Sequence, residues 1–342
     1  MRHRCRVPIE VLVVAATVMW LGGVSSAGQG PSSAPKTTLS AKSWTPPKTP
    51  WGDPDLQGIW SNATITPLER PKDLAGKEFL TEEEVQAREK AAIKRNSEET
   101  RGETPDQDVA GAYNFVWWDR GTKVIGTRRT SLIVDPPDGR IPWSAAAQKE
   151  NAERDKVRRA MLDDQEPPRS WLDVDTGERC ITDGIPWTPG AYNNNYQIVQ
   201  GPGYVGIVHE MFREMRVIPV NASPQPHIPQ WFGTSRGHWE GNTLVVETAN
   251  FADKSSYVWA NKYRRAQPSM HLVERFTRAD SGTLLYEFTI TDPAKFTGPW
   301  TAQIPMTRTA GQVFEYACHE GNYAVPDILN GGRVKAQEKS SK

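Results

Sequence analysis

The stretch that decides the fold is "HLVERFTRADSGTLLYEFTITD", residues 271–292. Its second half alternates apolar and polar side chains with a period of two, which is typical of a strand with one buried face. The residues Asp280-Ser281-Gly282 between the two halves favour a tight reversal of the chain. We therefore predict a β-hairpin. The side chains expected on its buried face are Leu284, Tyr286, Phe288 and Ile290.

The segment before it, "GHWEGNTLVVETANF" at 237–251, predicts a second hairpin with Gly241-Asn242 in a two-residue turn. This turn sets Trp239 opposite Leu244 and His238 opposite Val245. Because side chains alternate between the faces of a sheet, the hairpin has an apolar and a polar face. The apolar face holds Trp239, Leu244, Val246 and Thr248; the polar face holds His238, Glu240, Thr243, Val245 and Glu247. In a sandwich the polar face meets solvent, whereas in a ligand-holding barrel either face could point inward.

Further short strands lie on both sides of these hairpins. "PDLQGIWSN" (54–62) predicts a first strand with Trp60, and "NYQIVQGPGYVGIVHE" (195–210) predicts two strands around a glycine-proline-glycine turn. The segment from Tyr204 to Val220 exceeds the usual strand length, so it should break near Met211 to Arg213. "WTAQIPMTRT" (300–309) and "QVFEYAC" (312–318) predict two more strands.

Helices are few, and the two predicted ones fall between the first strand and the strands that begin at residue 195. Thr81 with Glu84 forms a capping box for one helix, and a second helix should begin near Ser144. Both are polar nearly all round, so they should lie on the surface. We predict a mainly β fold, either a single antiparallel β-barrel of the lipocalin-like kind or a sandwich, with two peripheral helices.

The sequence predicts four parts of the chain: a signal peptide, a flexible linker, a folded domain and a tail. Residues 1–27 combine three arginines, an apolar run and small residues before Gly28, which is typical of a signal peptide. Residues 28–50 are rich in Pro, Ser, Thr and Lys and predict a flexible linker. We expect a β-barrel-like domain at 51–330 and a disordered tail at 331–342. The mature protein should be exported, to the periplasm or the extracellular space.

Charge and cysteine content restrict the partners. Signal cleavage removes three arginines and one glutamate from 41 Lys+Arg and 41 Asp+Glu residues, which leaves 38 and 40. A mature net charge near −2 argues against a nucleic-acid partner. We also expect no membrane span after signal cleavage, no metal site and no cofactor.

Of the three cysteines, Cys5 leaves with the signal. Cys180 and Cys318 remain in an oxidising compartment, where we expect a disulfide; the alternative is two separate buried thiols.

The chain resembles a broad family of exported bacterial proteins of unknown function. The resemblance covers about residues 53–325. The segments that carry it are "PDLQGIW", "ERCITDGIP", "YQIVQGPGYVGIVHE", "GHWEGNTLVVETANF", "LVERFTRADSGTLLYEFTITDP" with "PWTAQIPM", and "FEYACHEGN". Its most specific core is W-E-G-x-T-L-V-V, where Asn242 stands in place of the usual Asp. The pattern Gly58-x-Trp60 is similar to the start of lipocalins and their barrel-shaped relatives. Neither resemblance implies an activity.

Two clusters of ionisable residues are candidates for acid–base chemistry. His238 and Glu240 lie two residues apart before the turn; the alternative is that both are ordinary surface residues. "HEMFREMR" (209–216) contributes His209, Glu210 and Arg216. If the chain reverses at 212–213, His209 should lie opposite Arg216. The alternative for this second cluster is a solvated strand end.

Tryptophans in loop-like, polar contexts are the candidates for ligand binding, because an indole offers a large apolar face and one N–H donor. The alternative is that they cover the ends of the barrel. The candidates are Trp117, Trp118, Trp187, Trp231 and Trp259.

The leading hypothesis is an exported protein that binds an apolar or aromatic small molecule in or at the mouth of the barrel. The second is an enzyme of the lyase, hydratase or isomerase kind. In that enzyme His209 or His238 would transfer the proton, and Glu210 or Glu240 would orient the histidine ring. Arg216 would bind an anionic substrate. The third is an envelope interaction module without a pocket.

Overall fold

The strands form a single antiparallel sheet in the computed structural model, which describes residues 44–97, 104–105, 118–162, 168, 170–222, 228–253 and 267–341. Its order is β5-β4-β3-β1-β10-β9-β8-β7-β6, and β2 pairs with β10 beside this path. The strands are β1 Gly58–Ser61, β2 Ile133–Asp135, β3 Asn195–Gly201, β4 Tyr204–His209, β5 Glu214–Pro219, β6 Thr234–Glu240, β7 Thr243–Ala249, β8 His271–Arg278, β9 Thr283–Thr291 and β10 Trp300–Thr309.

The two terminal strands of this order come together, so the sheet is a nearly closed barrel. Val220 forms a parallel bridge with Gly237, and the Asn221 N–H donates to the Gly237 carbonyl at 2.9 Å. At this seam Arg216 on β5 also donates to the Ser235 hydroxyl on β6 at 3.0 Å. The fold is therefore the barrel of the two predicted alternatives, and the prediction of a mainly β fold is confirmed.

The barrel core follows the alternation in the sequence. Phe288 and Ile290 on β9 are fully buried, and so are Trp300, Ala302 and Ile304 on β10. Each large apolar side chain removed from water contributes about 1.5–3 kcal/mol before the entropy of folding is counted. The interior of this half of the barrel is thus filled by side chains.

The fully buried Trp60 lies toward the end of the barrel that carries the β3–β4, β6–β7 and β8–β9 turns. Its indole N–H donates to the Leu56 carbonyl at 3.0 Å. The guanidinium groups of Arg278 and Arg308 lie 5.7 and 5.8 Å from the Trp60 ring. We call this the turn end of the barrel.

The second hairpin has the predicted register. Glu240 pairs with Thr243, Trp239 with Leu244 and His238 with Val245. Gly241 has a φ of 60°, which the turn requires and glycine adopts without strain. The apolar face of the hairpin points into the barrel, where Leu244, Val246 and Thr248 are buried; the polar face points outward, although Val245 on it is also buried.

One predicted register is wrong. The strand does break at Met211–Arg213, but the connection takes four residues and pairs His209 with Glu214, not with Arg216. Phe212 and Arg213 adopt φ values of 56° and 52°, which non-glycine residues rarely do. The Phe212 ring packs against Tyr316 at 4.8 Å, a contact that holds this connection in place. Residues 312–318, predicted as a strand, are irregular.

Within the described ranges, three α-helices lie outside the barrel: α1 Glu82–Arg95, α2 Ala145–Leu162 and α3 Ala324–Ser340. The predicted capping box of α1 is present, because Thr81 and Glu84 bond each other's backbone N–H groups. Helix α3 corrects the expected tail, since residues 331–340 are its second half. In the described part of the chain, none of the helices has both the length and the apolar composition that a membrane crossing requires.

The predicted signal peptide and the linker up to residue 43 lie outside the described residues. The last part of that linker differs from the prediction, because residues 44–50 are ordered against the barrel. Thr49 is buried, and the Arg278 guanidinium lies 5.4 Å from the Trp44 ring.

Candidate functional site

The end of the barrel opposite the turn end is covered by residues 170–194, a segment rich in Pro, Gly and Asn. We call this segment the cover loop and the barrel end beneath it the covered end. Strand β4 ends there at His209 and β5 begins there at Glu214. The predicted disulfide between Cys180 and Cys318 is confirmed, and it joins the cover loop to the segment before α3.

Glu214 attaches the cover loop to the barrel wall. Its carboxylate accepts hydrogen bonds from the Thr182 hydroxyl at 2.6 Å, the Asp183 N–H at 2.6 Å and the Trp187 indole N–H at 2.9 Å. Its side chain is 2 % exposed. A buried carboxylate is tolerated only where such donors replace water, so these bonds are a condition of its burial.

We expect Glu214→Ala to lower the free energy of unfolding by roughly 2–3 kcal/mol, because it removes three charge-assisted bonds and leaves buried donors unsatisfied. Hydrogen exchange should locate the effect, with the Asp183 N–H losing protection first. Glu247→Ala on the outward face of β7 is the matched control and should leave the cover loop unchanged. Equal protection of Asp183 in the Glu214 variant and the native protein would contradict this role of Glu214.

Aromatic rings lie beside this carboxylate. His209 stacks on Tyr196 with ring centroids 4.6 Å apart, and Trp187 lies 5.0 Å from His209 and 5.3 Å from Tyr196. All three side chains are buried. We call these three rings the aromatic box.

His209 carries an unsatisfied polar atom within the box. The residue is 5 % exposed, and its Nδ1 makes no hydrogen bond. The nearest carboxylate oxygen, Oε2 of Glu214, lies 3.8 Å away, which is too far for a hydrogen bond.

Deeper in the barrel Arg216 is held by a carboxylate that the sequence did not single out. Its Nη1 and Nη2 donate to Oε1 and Oε2 of Glu274 at 3.0 and 2.6 Å. The Tyr286 hydroxyl donates to Glu274 Oε1 at 2.8 Å. The Arg216 guanidinium also lies 5.3 Å from the Trp187 ring, so this ion pair forms the floor of the aromatic box.

The protonation states of this floor follow from burial and charge. Burial alone would lower the pKa of Arg216, but the Glu274 carboxylate more than compensates and the pKa is raised. Burial raises the pKa of Tyr286 well above its ordinary value, and the charge of Glu274 raises it further. Arg216 therefore stays charged and Tyr286 stays a donor.

Glu210 lies beside the site with its carboxylate bonded elsewhere. It accepts from the Asn195 side-chain amide at 2.9 Å and from the Phe314 N–H at 3.0 Å. The pKa of nearby Asp119 is raised, first by burial and then by the charge of Glu210. The carboxylate that faces His209 is Glu214, not Glu210.

The second predicted pair, His238 and Glu240, lies apart from this site on the outward face of the barrel. The two side chains are 41 % and 50 % exposed, and they contact each other at 3.2 Å. Glu240 on β6 also pairs with Arg275 on β8, which lies on the far side of β7. The structure thus divides the five predicted acid–base residues into two groups.

Hydrogen bonds from Arg275 and then His238 lower the pKa of Glu240. Because this pKa is depressed in the folded state, the pairing is complete above the ordinary carboxyl pKa and is lost as the pH falls through the lowered value. We expect Arg275→Gln to move the pKa of Glu240 upward, toward its ordinary value, in an NMR titration of the side-chain carboxyl. His238→Asn should give a smaller upward shift, since its contribution is the smaller one. An unchanged pKa in Arg275→Gln would contradict this pairing in solution.

The three predicted tryptophans that the structure describes lie in different surroundings. Trp187 lies in the aromatic box, Trp118 is half-buried with the Arg120 guanidinium 4.5 Å from its ring, and Trp231 is half-buried just before β6. Trp117 and Trp259 lie outside the described residues.

Sequence reasoning missed Glu214, Glu274 and Tyr196. Glu274 gave a signal, because it stands between Leu272 and Phe276 in the inward phase of β8, where a charge requires a buried partner. Among the described residues, no group of three or more His, Cys, Asp or Glu side chains is placed to hold a metal ion.

No protein-family model, no curated protein and no solved structure matches this chain. Fold and site together define a nearly closed antiparallel barrel with a covered, aromatic and charged end. The resemblance to exported bacterial proteins and to lipocalins stays a prediction.

Proposed function

We propose that this exported protein binds a small aromatic or apolar molecule at the covered end of the barrel. The observation that carries the proposal is the aromatic box, which stands above the Arg216–Glu274 pair and beneath a loop without regular strands. Rings of this kind combine large contact area with defined orientation, and a few buried polar groups add specificity. The predicted signal peptide and the observed disulfide support export.

The covered end is favoured over the barrel interior as the binding site, because the interior already holds large side chains. The inward positions of β8 and β9 are occupied by Phe276, Tyr286 and Phe288, and Trp300 packs on Phe288 at 5.5 Å. A ligand among them would have to displace a packed core, whereas at the covered end it has only to displace loop residues.

A matched pair of histidine variants tests the proposal. We expect saturation-transfer NMR with a panel of soluble aromatic compounds, including phenol, indole and 2-naphthol, to detect binding to the full chain. His209→Ala should weaken binding about tenfold through loss of a stacking ring. The control His238→Ala makes the same change on the outward face and should bind like the native protein. If no compound in the panel binds, or if both variants bind equally, the covered end is not the site.

The second candidate is an enzyme in which His209 transfers a proton and Glu214 orients the His209 ring. It is favoured by one observation, the unsatisfied Nδ1 of His209 at 3.8 Å from the carboxylate. The geometry does not support the anion-binding role predicted for Arg216, because both terminal nitrogens are bonded to Glu274. Turnover of a substrate by the native protein that His209→Ala abolishes would distinguish this candidate from simple binding.

A further inference from the structure

The aromatic box contains one ring that does not belong to the barrel. Tyr196 and His209 stand on β3 and β4, but Trp187 reaches in from the cover loop. Its indole is 1 % exposed, stacks near both barrel rings and lies against the Arg216 guanidinium. It also donates its only polar hydrogen to Glu214. These are the contacts that a bound aromatic ligand would make.

Trp187 nevertheless leaves the polar requirements of the box unmet. The indole has one donor and no acceptor, so it satisfies Oε2 of Glu214 but offers nothing to Nδ1 of His209. A buried nitrogen without a hydrogen-bond partner costs about 1–3 kcal/mol. A molecule that also bonded this nitrogen would therefore occupy the box more favourably than the indole does. Among the hydrogen bonds of the described residues, Oε2 of Glu214 accepts only the Trp187 indole N–H, so a ligand that replaces the indole has to supply a donor to this oxygen.

The attachment of the cover loop allows Trp187 to leave. Thr182 and Asp183 bond Oε1 of Glu214, whereas Trp187 bonds Oε2. The loop therefore stays attached to β5 when the indole withdraws, and the Cys180–Cys318 disulfide fixes the chain just before these residues. Only the part of the loop after Asp183 has to move.

We propose that Trp187 occupies the site in place of the ligand, and that the ligand is a planar aromatic molecule with an N–H donor for Glu214 and a second hydrogen-bonding atom beside it for His209. This inference rests on the proposed function and narrows it to one chemical class. Binding then requires the state in which the indole has withdrawn, and the observed affinity is reduced by the population of that state.

Three probes of nearly equal shape test the ligand class. Benzimidazole has an N–H donor and a nitrogen acceptor on one edge, indole has the N–H donor alone, and benzofuran has no N–H donor. We expect calorimetry on the full, disulfide-bonded chain to rank them in that order. Benzofuran should bind at least about tenfold more weakly than indole, because a bond to a charged carboxylate is lost. Benzimidazole should also abolish the hydrogen-exchange protection of the Trp187 indole N–H, assigned by its absence in Trp187→Phe.

Two variants test the displacement. Trp187→Phe keeps a ring in the box but removes its bond to Glu214, so it should bind benzimidazole several-fold more tightly; Trp187→Ala should bind it more tightly still. Trp51→Ala, a substitution near the turn end, is the control and should match the native protein. If Trp187→Ala does not fold, the Phe variant and the exchange measurement still decide the question.

The outcomes separate the inference from the proposed function. If benzofuran binds as well as indole, the ligand class is overturned while aromatic binding at this end stands. If the probes bind only Trp187→Ala, that variant has merely created a cavity, and Trp187 is a core residue and not a stand-in for a ligand. If neither the native protein nor either variant binds any probe, and the wider aromatic panel also fails, both the inference and the proposed function fall.

Discussion

Glu274→Ala will lower the free energy of unfolding by roughly 3–5 kcal/mol, because it leaves the Arg216 guanidinium buried without its counter-charge. It also deprives the Tyr286 hydroxyl of its acceptor. Both glutamate oxygens are engaged and the side chain is fully buried, so water cannot replace them without opening the barrel. Urea denaturation measured against the native protein gives the loss directly.

The control for this prediction is Glu287→Ala on the outward face of β9, which should change stability by less than about 1 kcal/mol. A stronger test replaces the whole network. Arg216→Met combined with Glu274→Leu and Tyr286→Phe should recover most of the loss, since no buried charge or hydroxyl then remains unpaired. A Glu274→Ala variant as stable as the native protein would mean that Arg216 does not depend on this ion pair.

Replacing both disulfide cysteines by serine will cost about 4–5 kcal/mol. The bridge joins residues 138 apart in sequence. In the chain-entropy model, closing so long a loop in the unfolded chain stabilises the folded state by about 4–5 kcal/mol. The measurement is urea denaturation of Cys180→Ser/Cys318→Ser beside the native protein, each with and without dithiothreitol. Reductant should destabilise the native protein to the level of the variant and leave the variant unchanged.

The disulfide and Glu214 restrain the cover loop at different positions, so their losses should differ in location. Without the disulfide, protection in hydrogen exchange should fall at residues 175–181 and 316–322, while the bond from Asp183 to Glu214 persists. A serine variant as stable as the native protein would show that the loop it closes is already restrained by the rest of the fold.

Sequence reasoning succeeded where structure is set by neighbours along the chain. The capping box of Thr81 and Glu84 and the register of the Gly241-Asn242 hairpin depend on residues a few positions apart, and both are present. It failed where the connection was longer. The four-residue link after His209 contains Phe212 in a left-handed conformation, which no local preference of phenylalanine predicts.

The candidate site was found only in part for the same reason. "HEMFREMR" identified His209 and Arg216, but the partners that define their roles come from distant segments. Glu274 lies 58 residues from Arg216 in sequence, and Trp187 lies 27 residues from Glu214. Strand order, which the sequence did not give, decides these pairings.

By itself the sequence determined most of the strands, their alternation, the hairpin turns and the cysteines available for a bridge, because backbone period and turn geometry act over a few residues. Only the tertiary structure decided which face of "GHWEGNTLVV" is inside. Closure of the sheet directs Trp239 inward and leaves His238 and Glu240 in solvent. The same closure brings Arg216 to Glu274 and places Trp187 above them, because buried charges must find partners wherever the barrel sets them.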